Sequence, residues 1–169
     1  MPMGFTASIR PCGWGGALRR WASAGWRTLD LPVAVGETDC TRWQVHARLA
    51  QGAADILLPD VCRAGGITEG RRLATIASLY NVRWAAHVSM GSPVHLAAAA
   101  QLAAASPHFL MLEYPTAPNP IGDGLLTAPW RPVAGRLPLP EGPGLGLTFA
   151  TERLRAHLWP ALAEGEKER

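Results

Sequence analysis

The chain has 169 residues, enough for one domain with its own core, and 48% of them are hydrophobic, which excludes a largely disordered chain. Sixteen basic and thirteen acidic side chains leave a net charge of +3, but the positive residues are scattered and no segment holds a basic run with interleaved aromatics, so nucleic-acid binding is not expected. No run approaches the roughly 18 apolar residues of a membrane span, and the first residues carry no apolar signal segment, so a cytoplasmic protein without membrane contact is expected.

In chain order, residues 1–28 are rich in Trp, Gly and Arg and show no period beyond a short helix at 17–24. Four strand-like runs follow: LPVAVGE (31–37), ADILLPD (54–60), NVRWAAH (81–87) and HFLMLE (108–113). Helical stretches separate them at 41–52, 66–81 and 92–106, with Thr41, Thr68 and Ser92 near their starts and Gly52, Asn81 and Ser106 near their ends. From 114 onward Pro and Gly dominate, which suggests a loop-rich return path with a short strand at 136–140 and a helix at 151–158. The three cysteines, Cys12, Cys40 and Cys62, match neither a disulfide framework nor a close-spaced zinc site, and are read as reduced thiols.

Alternation of strand and helix predicts an α/β fold with a parallel sheet. Each run ends on an ionisable side chain: Glu37, Asp60, His87 and Glu113, spaced by 23, 27 and 26 residues. Parallel strands carry their C-terminal ends to one edge, so these four groups should gather there, as active-site groups do in a (β/α) barrel. An open doubly wound sheet also binds at that edge, but no Gly-rich phosphate loop follows the first run. A full barrel needs eight units and about 250 residues; only four units are present.

LPVAVGE, GAADILLPDVCRAGGITEGRRLA, AAHVSMGSPVHLAAAAQLAAA, LEYP with a following NP, and LPLPEGPGLG appear in the order and spacing that resembles the mandelate racemase and muconate lactonizing enzyme group of the enolase superfamily. The resemblance runs from about residue 29 to 157 and covers the C-terminal half of the catalytic barrel. It divides the chain into an atypical segment (1–28), a partial barrel (29–135), and a return strand, helix and polar tail (136–169). It implies that Glu37 is a Mg²⁺ ligand, that Asp60 partners a catalytic His87, and that Glu113 hydrogen-bonds the intermediate. No other cofactor is implied.

The implied chemistry is a Mg-dependent acid-sugar dehydratase or racemase, which removes the proton next to the carboxylate of a small sugar acid through an enediolate. Asp60 would orient His87 and raise its basicity, and Glu113 would act protonated. A lysine base is disfavoured, because Lys167 in the tail is the only lysine. The family's earlier metal carboxylates do not precede Glu37, so the expectation is an enzyme completed by a complementing half-barrel or by oligomerisation. The alternatives are a truncated, catalytically incompetent remnant, with residues 1–28 translated out of frame, or a half-barrel interaction module. Arg63 with Gly65 and Gly66 is either a tight solvated loop or a ligand approach. His46, His95, His108 and His157 are expected on the surface, and the Ala-rich stretch near 97–105 is expected to pack closely on the sheet.

Overall fold

The computed structural model describes residues 31–119 and 122–156. Four parallel strands, β1 (Ala34–Val35), β2 (Ile56–Leu57), β3 (Arg83–Ala86) and β4 (Phe109–Leu112), form one sheet in the order β1-β2-β3-β4. Between them run α1 (Arg42–Ala50), α2 (Ile67–Leu79) and α3 (Pro93–Ala104). Each strand is adjacent to the next in sequence, so right-handed crossovers lay all three helices on one face. α1 packs on α2 and α2 on α3, as that arrangement requires. This is the α/β half-barrel expected, and the three predicted helices and four runs all form.

Regular pairing is shorter than the runs, for local reasons. Gly36 at φ +124° and the turn from Asp39 N to Gly36 O (3.0 Å) end β1. Pro59 has no N–H and closes the β2 ladder. His108 at φ +57° and Asn81 at φ +54° are turn positions that precede β4 and β3 rather than belong to them.

The expected side chains cap the starts of α1 and α3 but not of α2, and the helix C-termini are closed by backbone hydrogen bonds. Thr41 and Gln44 make a reciprocal capping box at α1, where Thr41 Oγ1 accepts from Gln44 N (3.3 Å) and Gln44 Oε1 accepts from Thr41 N (3.1 Å). Ser92 caps α3 with Pro93 at its first position. Asn81 closes α2, with Val82 N on Ala77 O (3.0 Å) and Asn81 N on Ser78 O (3.1 Å). The exception is the start of α2: Gly66 holds the cap position without a side-chain bond, and Thr68 lies inside the helix.

The core is where sheet and helices meet: Leu57, Trp84, Ala86 and Leu112 from the strands against Val45, Leu49, Leu73, Ala77, Leu96 and Leu102 from the helices. Trp84 is fully buried, meets Phe109 edge-on at 5.3 Å, and satisfies its indole N–H on Pro107 O at 2.7 Å. The small residues of α3 lie close on the sheet, as expected, with Ala97, Ala99, Ala100 and Ala103 buried. Gly70 lets α2 approach α3, since a Cβ there would stand 2.5 Å from Leu102 Cδ2.

The return segment differs from expectation. No strand forms at 136–140; a tight turn bridges Val133 and Arg136, and Leu137 drops into the core. Pro138 and Pro140 lack the N–H groups a ladder would need, and their carbonyls instead accept from Trp130 Nε1 (2.8 Å) and Gln101 Nε2 (3.0 Å). The last described helix is α4 (Thr151–Arg155); residues 157 and 158, His157 among them, lie outside the described residues. So do the helix expected at 17–24, Cys12 and the whole of segment 1–28.

Candidate active site at the strand ends

Alternation along a strand points successive side chains to opposite faces. Ala86 and Leu112 face the helices and join the core. His87 and Glu113, the next residues, therefore face the other side, at the C-terminal rim. Asp60 and His87 are bridged across neighbouring strands, with His87 N donating to Pro59 O at 3.1 Å.

Asp60 is 2% exposed and both its oxygens accept hydrogen bonds. Oδ2 pairs with His87 Nδ1 at 2.8 Å, while Oδ1 accepts from the backbone N–H groups of Cys62 (2.8 Å) and Arg63 (3.1 Å). Burial alone would push its pKa up, but the His87 bond, the nearby His95 and those two amides outweigh it and hold the carboxyl below its ordinary range. Asp60 is thus an ionised acceptor, which fixes the proton of neutral His87 on Nδ1 and leaves Nε2 bare. Gly65 and Gly66, at φ +96° and +91°, turn the chain from this loop into α2. Arg63 stays exposed.

His87 Nε2 looks toward Glu113 Oε2 at 3.9 Å, beyond hydrogen-bond range. Burial raises the Glu113 pKa; His87 and the Val88 amide oppose this, and Glu37 and Asp60 add to it through like charge. Glu37 is half-buried at the end of β1 and close enough to act on Glu113. The four groups anticipated from the sequence therefore lie on one rim, three of them in a connected row and Glu37 beside it. A cavity of about 90 Å³ follows Glu113, with Tyr114, Asn119 and Arg131 on its wall.

Magnesium requires near-octahedral oxygen coordination. Glu37 brings one carboxylate, and the neighbouring Asp39 is held by Arg48 through two bonds of 2.7 and 2.8 Å. The described residues thus do not by themselves fit a Mg²⁺ site. Asp60, Cys62 and His95 place potential ligand atoms within 4.8 Å of one another. Both Asp60 oxygens are already occupied, however, and burial followed by the Asp60 charge pushes the Cys62 thiol up, away from thiolate.

His95 is a correction. It was expected on the surface, and it is instead 9% exposed with Nε2 3.3 Å from Asp60 Oδ1. Ser92 caps α3 and Pro93 opens it, so His95 lies in its first turn. Gly91 makes the space: a Cβ there would overlap the His95 ring at Nδ1. The signal was the glycine four residues before a histidine in a capped first turn. His46 and His108 are exposed as expected, His46 sharing a 2.8 Å contact with Tyr80 Oη.

The sequence pattern of the enolase C-terminal domain-like family matches residues 11–153. The chain belongs to that family. This enolase-superfamily chain is 37% identical over 138 residues to D-galactarolactone cycloisomerase of Agrobacterium fabrum, covering 77% of this chain and 36% of that protein. It is 36% identical over 140 residues to D-xylonate dehydratase of Haloferax volcanii, covering 83% of this chain and 33% of that one. Among solved structures, a mandelate racemase/muconate lactonizing enzyme-like protein from Rubrobacter xylanophilus superposes with a TM-score of 0.71 at 32% identity, over 80% of this chain and 35% of the other. The enolase-family chain thus spans about a third of the length of the curated relatives it matches. Among the described residues no helix is long and apolar enough to cross a membrane.

Proposed function

We propose that this chain supplies the acid–base half of an active site that removes the proton α to a carboxylate in a small sugar acid, leading to dehydration or racemisation. The observation that carries the reading is the row from Asp60 through His87 to Glu113: Nδ1 is fixed by a carboxylate at 2.8 Å, and Nε2 faces, at 3.9 Å, a carboxyl group whose pKa burial raises. His87 Nε2 takes the α-proton. Glu113, whose hold on its proton burial strengthens, donates in its protonated form a hydrogen bond to the oxygen on which charge develops. In a dehydration the imidazolium then returns its proton to the departing β-hydroxyl, so the base is regenerated. Arg131 and Asn119 on the adjoining wall suit the carboxylate and hydroxyls of such a substrate. The names of the relatives, a cycloisomerase and dehydratases acting on sugar acids or their lactones, support this class.

Magnesium would enter this reading as a cation for which Glu37 would be one ligand, the further oxygen ligands having to come from a complementing half-barrel. The test mixes the chain with a separately expressed N-terminal half of a relative, Mg²⁺, and a panel of aldonic and aldaric acids in D₂O. Mass and proton spectra then report deuterium at the α-carbon and 2-keto product. Exchange in the mixture and not in the chain alone supports the reading. A folded chain that associates with the half yet shows no exchange overturns it and leaves a non-catalytic half-barrel.

A further inference from the structure

The Asp60 carboxylate stands between two imidazoles. His87 Nδ1 meets Oδ2 at 2.8 Å and His95 Nε2 meets Oδ1 at 3.3 Å. His95 Nε2 is buried and makes no hydrogen bond of ordinary geometry, its 3.3 Å contact with Asp60 Oδ1 included. A bare ring nitrogen facing a carboxylate oxygen in a site closed to water would set two lone pairs against each other, so Nε2 carries the proton. Burial lowers the His95 pKa, the Asp60 charge opposes this, and the His87 charge works with it.

We propose that His95 is a positioning residue: its neutral Nε2–H joins the Cys62 and Arg63 amides in anchoring Asp60 Oδ1, so that Oδ2 stays on His87 Nδ1 and His87 Nε2 stays bare. Three donors on one oxygen leave the carboxylate a single orientation, and the histidine it faces a single tautomer. The groups around the ring are Asp60, the imidazole and the backbone carbonyl of His87, and the Cys62 thiol, with the Ser92 hydroxyl on the backbone of its own turn and Gly91 giving it room. The consequence for catalysis rests on His87 being the base; the arrangement itself does not.

The test is long-range ¹H–¹⁵N correlation of the imidazoles in the full chain, wild type, His95→Gln and His95→Phe, across neutral pH. Wild type should show His95 as the Nε2–H tautomer and His87 as Nδ1–H. In His95→Phe the His87 Nδ1 proton should exchange with water about tenfold faster, the factor one net hydrogen bond represents, and His87 should become a tautomer mixture. His95→Gln, whose amide reaches the same place, should restore the wild-type pattern. An Nδ1–H or imidazolium His95 in wild type overturns the proposal, and that readout decides alone should His95→Phe not fold. An unchanged His87 in a folded His95→Phe also overturns it, whatever the exchange assay shows. The expected spectra with no α-hydrogen exchange would sink the catalytic reading and leave this one standing.

Discussion

His87 Nε2 stands 3.9 Å from Glu113 Oε2, a separation that leaves both groups a free face toward the same point. A base and an acid so placed can act on two atoms of one small molecule, one losing a proton and the other gaining charge. In the complemented mixture, His87→Asn should lower α-hydrogen exchange about 10²- to 10⁴-fold, the range that a positioned acid–base group contributes. Deuterium incorporation followed over time measures it.

Glu113 binds its proton more tightly in the folded state than in the unfolded one, because burial raises its pKa. The associated stability is complete below the ordinary carboxyl range and is lost as pH rises through the folded value. Glu113→Gln removes that dependence. Urea unfolding should find the variant and wild type diverging as pH rises, with the variant the more stable at neutral pH.

Asp60 has the opposite sign. Its depressed pKa contributes stability above the ordinary carboxylate range, and this is lost as pH falls through the folded value. Asp60→Ala would strip partners from the Cys62 and Arg63 amides and from His87 Nδ1. A cost of about 3 kcal/mol near neutral pH is expected, shrinking in acid, by the same denaturation measurement.

Gly70→Ala tests the seam between α2 and α3. The new methyl would press on Leu102, which is 1% exposed and has nowhere to retreat. Overpacking of this kind costs about 1–3 kcal/mol. A thermal unfolding scan should show the lower Tm.

Most of the architecture was legible because the sequence repeats one physical unit. An apolar run ending on Glu37, Asp60, His87 or Glu113, then a capped helix, leaves a parallel sheet little freedom in order or direction. The Asp60–His87 contact follows from that register, since one residue of slip would move either side chain to the other face. His95 was not legible from its own helix, because its burial comes from the loop before it and from an atom missing at Gly91. The strand expected at 136–140 failed for a readable reason, two prolines in five residues, which the alternating Leu137 and Leu139 obscured.

Gly91 also limits how this loop can drift over generations. Any side chain at 91 evicts the ring at 95, so the two positions are not independent. A library randomised at both should return bulk at 91 only where 95 has shrunk, and each such clone will have traded away the second imidazole on Asp60.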